Sequence, residues 1–348
     1  MQIAIGFLPL WSRSERDGKT RQRAEGVMFE TRITKLLGIK YPIICGCMQW
    51  VTKAELVAAV AEAGGLGIIP AAAFESIDEI KQEIRKTRSL TDKPFAVNVT
   101  LIPMGRPFSH RDMLGAALDE GVRIIETAGR SPEEYVGFVK DAGAVHMHKC
   151  ARVRDAVKTE KLGADMVTVV GFECGGHPGH QDVSTMVKLA RAVELVKIPV
   201  AAGGGITDGR GLVAALSLGA EAVVMGTRFF VTRECPVHEN FKRTLVEADE
   251  TATSLALQTL EPARALKNEL LAKVIEMESK GAGLAEIFPL IAGLRGREAY
   301  KTGDVNDSLI PCGQGVGLIH DIPTVAELME RTMAEARATA SRIAVMAA

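Results

Sequence analysis

From Tyr41 onward, short apolar runs alternate with stretches in which apolar residues recur every three or four positions. The runs, at 42–46, 66–70, 95–100, 123–128, 145–150, 166–171, 199–203 and 222–226, lack a strict two-residue alternation. That is the pattern of parallel strands covered on both faces. Between them, 53–63, 76–88, 111–120, 132–141, 151–162, 183–196 and 208–218 predict helices. Several carry a cap or Pro in the first turn, as at Ser131-Pro132, or Gly after the last, as at Leu162-Gly163. Strand then helix, eight times over, predicts an α/β fold closed into a (β/α)8 TIM barrel in preference to an open doubly wound sheet.

After Thr227 the rhythm changes. Residues 232–283 read as wholly helical, and 285–303 add a further helical stretch before the Gly-rich segment 312–317. An inserted helical cap subdomain over the barrel mouth accounts for this order; it would return the Gly-rich segment to the site and leave 324–347 as a closing outer helix. The expected division is an extension at 1–27, a barrel from 28–231 and 311–348, and a cap at 232–310. The extension holds a short apolar stretch, 3–11, then a polar run, 12–26, with neither basic residues ahead of it nor a small-residue cleavage site behind. It reads as a disordered tail or a start assigned too early, since Met28 directly precedes the first element, 29–38. No apolar run approaches the roughly 20 residues of a membrane span.

Composition narrows the chemistry. Of 348 residues, 47% are hydrophobic and 24% charged, enough for a sizeable core. A net charge of −1, with Lys and Arg dispersed, lacks the basic footprint of a nucleic-acid binder, so a small-molecule substrate is expected, without nucleic-acid or membrane partners. Six cysteines without a CxxC pair read as reduced thiols of a cytoplasmic protein.

Barrels of this kind place their chemistry where strands end and loops begin. After the seventh and eighth runs stand Gly203-Gly204-Gly205 and Met225-Gly226-Thr227, glycine loops that open onto helices. Bare backbone N–H groups there form a phosphate cradle, although a lone GGG is also a flexible turn. After the sixth run, Gly175-Gly176-His177-Pro178-Gly179 combines backbone freedom with an imidazole, making His177 the first candidate for proton handling over a plain turn cap. Lys149 ends the fifth run and suits a phosphate or an electron-rich ring; a solvated rim lysine is the bland alternative. Gly46, Met48 and Gln49 follow the first run, and Asn98 and Thr100 share one face of the third. His146 and His148 share a face of the fifth, but with only Glu126 and Glu173 as nearby carboxylates a metal site is not expected; one buried and one rim histidine is.

With these strand ends in hand, the sequence closely resembles the flavin-dependent nitronate monooxygenase family, including members that act as NADH:quinone reductases. The likeness rests on Gly46-Cys47-Met48-Gln49-Trp50, Asn98-Val99-Thr100, Glu126-Thr127-Ala128-Gly129, His148-Lys149-Cys150, Gly171 to Gly179, Gly203-Gly204-Gly205 and Met225-Gly226-Thr227-Arg228-Phe229. It implies FMN, with its phosphate near Gly204, Gly205, Gly226 and Thr227, its ring near Met48, Gln49, Lys149, Gly175 and Gly176, and His177 beside the substrate. Two departures are visible: Val170 stands where some relatives carry an aspartate, and Ala292 replaces a serine proposed to help in catalysis. The activity implied is oxidation of alkyl nitronates with O2; the rival on the same barrel takes hydride from NAD(P)H and passes electrons to a quinone. Arg106, in the loop 102–106, could meet the phosphate of such a nucleotide, but reads first as an exposed loop arginine. A flavin binder without turnover and a metal hydrolase are the remote readings, and a homodimer is an open option.

Overall fold

The computed structural model describes residues 29–102, 106–259 and 261–347. The extension at 1–27 and the centre of the 102–106 loop lie outside them. Eight strands, β1 (Ile43–Cys45), β2 (Leu66–Pro70), β3 (Ala96–Thr100), β4 (Ile124–Ala128), β5 (Val145–Cys150), β6 (Met166–Val170), β7 (Val200–Gly203) and β8 (Ala222–Met225), form a closed barrel in sequence order. Every neighbouring pair is parallel, and β1 closes on β8 through Ile44↔Val224. The eight expected runs are these strands. Helices Ala54–Glu62, Ile77–Leu90, His110–Asp119, Val136–Asp141, Val153–Lys161, Thr185–Leu195 and Gly209–Ser217 fill the intervals.

Side chains on a strand point alternately inward and outward, so each strand contributes to two cores. Ile44, Leu66, Ile68, Ala96, Ile124, Met147, Met166, Ala201 and Ala222 fill the lower barrel, and Ile33 and Leu37 of helix Arg32–Leu37 plug its floor. Their outward neighbours, such as Cys45, Val97, Ile125, Val167 and Val223, pack beneath the helices. Above the inward apolar layer the interior turns polar at Asn98, Glu126 and Lys149, which marks the C-terminal mouth as the functional end.

Beyond β8, the stretch at 232–283 departs from the wholly helical expectation. Helices Glu239–Val246 and Glu269–Ser279 flank an antiparallel hairpin, β9 (Thr253–Ala256) with β10 (Ala263–Leu266), in register Ala263↔Ala256 to Leu266↔Thr253. Ala, Leu and Arg are good helix formers, and four-residue strands are too short to display a two-residue period, so local preference pointed the wrong way and tertiary pairing won. Ala256, Leu257, Ala263, Ala265, Leu271, Val274 and Ile287 form a small core of their own, whereas Phe241 and Leu245 belong to the barrel's outer core. Helices Leu284–Ile291 and Gly293–Thr302 break at Ala292, and helix Val325–Met346 closes the ring against helix Gly209–Ser217. Among the described residues no helix is long and apolar enough to cross a membrane.

Candidate active site

The strand ends and the cap enclose a cavity of about 1700 Å³. Single small-ligand sites usually span roughly 300–1,000 Å³, so there is room for a cofactor and a second molecule. Of the sequence candidates, Gly46, Met48, Gln49, Asn98, Thr100, Lys149, Gly175, Gly176, His177, Gly204, Gly205, Gly226 and Thr227 line it. Met225 does not: its side chain points outward into the core beneath the helices, and only its carbonyl serves the mouth, accepting the Gly46 N–H at 3.0 Å.

Inside the barrel the polar layer is a connected chain. Thr100 Oγ1 donates to Asn98 Oδ1 at 2.9 Å, Asn98 Nδ2 to Glu126 Oε1 at 3.3 Å, and Lys149 Nζ pairs with Glu126 Oε1 at 3.1 Å while lying 3.4 Å from Cys47 Sγ. Burial opposes the ammonium charge, yet its anionic surroundings hold the Lys149 pKa above the usual lysine range. Burial likewise pushes the Cys47 thiol up to about 11, so it is uncharged at neutral pH and Glu126 is the counter-ion that matters. Lys149 is therefore a fixed cation within the barrel and no rim lysine.

Across the mouth, the β7 and β8 loops meet the Gly-rich segment returning from the cap, as its order in the chain suggested. Gly204 and Gly205 have φ of +103° and +71°, in the left-handed region open to glycine. A Cβ on Gly204 would lie 2.8 Å from Thr185 Oγ1, so the loop's path also needs the empty space. The N–H groups of Gly204, Gly205 and Thr227 find no acceptor among the described residues, and the buried Thr207 hydroxyl is also without a partner. Thr227 opens the short helix Thr227–Phe230, and its hydroxyl accepts the Gly313 N–H at 3.0 Å. Unpaired donors beside a helix start on the last two strands of a barrel fit a phosphate.

The β6 loop is held from three sides. Glu173 accepts from Thr185 N at 2.9 Å and Thr185 Oγ1 at 2.9 Å, capping helix Thr185–Leu195, and its carbonyl receives Gln314 N at 3.0 Å. The wholly buried Lys188 donates to the carbonyls of Ala151 and Val170, both at 2.8 Å, tying the β5 and β6 ends together. Gly176 and Arg264 of β10 exchange both backbone hydrogen bonds, at 2.9 and 2.7 Å, and the Arg264 guanidinium donates to the Phe172 carbonyl at 3.1 Å with its carbon 4.5 Å from the Phe172 ring. Next to this clamp, His177 is open to the cavity yet densely surrounded; burial, with Lys149 adding to it, lowers its pKa against an opposing pull from Glu261. That shift favours the uncharged imidazole.

Two expectations are corrected. His146 and His148 are both buried, on the outward face of β5, where both rings bond the one Thr127 hydroxyl, at 2.8 and 2.7 Å. One hydroxyl proton serves only one ring as donor, and desolvation lowers the two imidazoles to about 4 and about 3. No group of metal-ligating residues occurs among the described residues. Arg106 is half-buried, not an exposed loop arginine: it donates to the carbonyls of Phe74 and, at 3.2 Å, Ala72. Nothing in the local sequence marks Arg264, which reads as part of a helix; Trp50, quoted in the β1 motif without a role, has a φ of +67° and a buried, unpartnered Nε1, a strained backbone position at the β1 end.

Comparison with known proteins follows this geometry. The sequence profile described as nitronate monooxygenase matches residues 30–335. A Rhodococcus jostii protein named (3aS,4S,5R,7aS)-5-hydroxy-7a-methyl-1-oxo-octahydro-1H-indene-4-carboxyl-CoA dehydrogenase is 33% identical over 88% of this chain and 95% of its own length. A probable nitronate monooxygenase of Staphylococcus saprophyticus is 32% identical over 90% of this chain and 99% of its own. Among solved structures, FabK from Thermotoga maritima superposes with a TM-score of 0.86 at 36% identity, covering 91% of this chain and 99% of that one. Nitroalkane oxidase from Streptomyces ansochromogenes gives 0.77 at 28% identity, covering 89% and 99%.

Proposed function

The chain belongs to the nitronate monooxygenase family of FMN-dependent oxidoreductases, and from that premise we propose that it oxidises alkyl nitronates with O2. The observation that carries this reading is a cavity whose interior holds the Lys149 ammonium, paired with Glu126, and into which the His177 imidazole opens. When bound, FMN supplies the electron acceptance and the return of electrons to oxygen. The glycine loops of β7 and β8 would hold its phosphate through Gly204, Gly205, Gly226 and Thr227, and Met48, Gln49, Gly175, Gly176, Asn98 and Thr100 would hold the rest of the cofactor. Lys149, positioned in advance by Glu126, would supply positive charge to the bound cofactor, an electrostatic contribution. A preformed nitronate needs no base and would meet the Lys149 charge directly, whereas for a neutral nitroalkane His177 would take the α-proton to give the nitronate.

A second reading draws on cavity size. About 1700 Å³ exceeds what FMN and a small nitronate fill, and it suits a larger donor, NAD(P)H in a quinone reductase or a CoA thioester of the kind named for the Rhodococcus jostii relative. The electronic demand is shared, because a thioester α-carbanion and a nitronate are both carbanions delocalised onto an adjacent acceptor. Anaerobic mixing with an alkyl nitronate, and separately with NADH and NADPH, decides: loss of the oxidised-flavin band with nitronate alone, with oxygen consumed on admitting air, supports nitronate oxidation. Bleaching by a nicotinamide nucleotide with reoxidation by quinone supports the reductase. A protein that takes up no FMN overturns both.

A further inference from the structure

We infer that the loops after β4 and β5 form a second anion subsite, which takes the phosphates of a nucleotide-bearing ligand whose reactive end reaches into the cavity. The inference rests on the reading that the FMN phosphate occupies the β7–β8 cradle, and it adds a site of its own to it. The cavity wall carries seven Lys and Arg side chains against three Asp and Glu, in a chain whose net charge is −1. Four of those cations, Arg130, Arg152, Arg154 and Lys158, come from one sector, the ends of β4 and β5 and helix Val153–Lys161.

Two of the four are already partnered. Arg152 binds Asp155 with both arms, at 2.7 and 3.0 Å, and Lys158 pairs with Glu133 at 2.6 Å. Arg130 and Arg154 are exposed and meet no carboxylate among the described residues. Because β4 and β5 are adjacent, with Ala128 opposite Lys149 in the ladder, the two loops leave the barrel about 4.8 Å apart and open the arginines to the same space.

FMN's phosphate does not use them. In a closed ring ordered β1 to β8, β4 stands across from β8, so the cationic sector faces the phosphate cradle from the far side of the mouth. A second anion, on a second molecule, is what this charge matches. A guanidinium fork fits phosphate oxygens two at a time, and unpaired arginines bind it without first breaking an ion pair. The cavity volume left beyond FMN admits the adenosine, pyrophosphate and ribose phosphate shared by CoA and NADPH.

The test uses the FMN-loaded enzyme and titration calorimetry with four probes: free CoA, 3′-dephospho-CoA, NADPH and adenosine. Wild type binds CoA or NADPH, or both, with an affinity that falls as salt is raised, and binds adenosine at least about tenfold more weakly. Arg130→Ala/Arg154→Ala weakens the phosphorylated ligand by about tenfold or more and leaves the flavin absorbance per protein unchanged. Loss confined to CoA assigns the site to a thioester carrier; loss confined to NADPH assigns it to the nicotinamide donor. Failure of the holoenzyme to bind either nucleotide, or equal affinity in the variant, overturns the subsite. So does loss of FMN from the variant, which would make these arginines part of the cofactor site. None of these results depends on nitronate turnover, so the two proposals fail separately.

Discussion

Removing one partner of the ion pair inside the barrel should cost far more than removing both. Glu126 is 2% exposed, and its Oε1 lies 3.1 Å from the Lys149 ammonium. At an effective dielectric of about 20 the Coulomb attraction at that distance is about 5 kcal/mol, partly offset by the cost of stripping water from both groups. Lys149→Met leaves a buried carboxylate with only Asn98, and Glu126→Gln leaves a half-buried ammonium beside a thiol that is uncharged at neutral pH. Each single change is expected to destabilise by about 3–5 kcal/mol, and the double variant to lose less than either single one, so that more than half of the summed loss is recovered, a coupling of about 3 kcal/mol or more. Urea unfolding of the four proteins, each at two saturating FMN concentrations so that ligand linkage can be subtracted, measures the cycle. Single losses that add within about 0.5 kcal/mol would show that the pair is not the unit described.

His146 and His148 have folded pKa values of about 4 and about 3, below the ordinary 6.5, so the unfolded chain binds the extra protons. Their contribution is complete above pH 6.5 and is lost as pH falls, by up to about 1.4 kcal/mol per pH unit for each ring, and pH-dependent unfolding of His148→Gln should be correspondingly shallower. Gly204→Ala places a Cβ 2.8 Å from Thr185 Oγ1 at a φ of +103°, and should weaken FMN retention by about tenfold, read by flavin fluorescence on dialysis. Arg264→Met removes the guanidinium that ties Thr253 to Phe172; hydrogen exchange at the Gly176 amide should accelerate by about tenfold or more, while exchange in the barrel strands stays unchanged.

What was legible beforehand was what repeats or what glycine marks. Eight apolar runs with helices between them carry the barrel because a buried parallel strand must be apolar on both faces, and that demand is written locally. The glycines at 204, 205 and 226 and the imidazole at 177 were likewise readable from their places at strand ends. Arg264 was not, since its role arises from a hairpin that pairs across the mouth with residues almost ninety positions earlier, and Ala263-Arg264-Ala265-Leu266 has the local composition of a helix. The pairing of His146 and His148 through Thr127 was hidden for a similar reason: alternation places them on one face, but only the neighbouring strand shows that the face is the outer one. Met225 failed on the same alternation, one residue out of step with the inward-facing Val224 and Gly226.

The double backbone link between Gly176 and Arg264 has a bearing on how the protein is made. The segment that carries His177 is completed by a strand synthesised about 90 residues later, and the Gly-rich turn beneath it comes later still. At roughly 5–20 residues per second, a ribosome leaves a barrel with all eight strands translated but an unfinished mouth for several seconds or more. During that interval the β6 loop lacks the strand to which Gly176 hydrogen-bonds. A chain truncated after β8 would therefore retain the strands of the barrel while lacking a finished site.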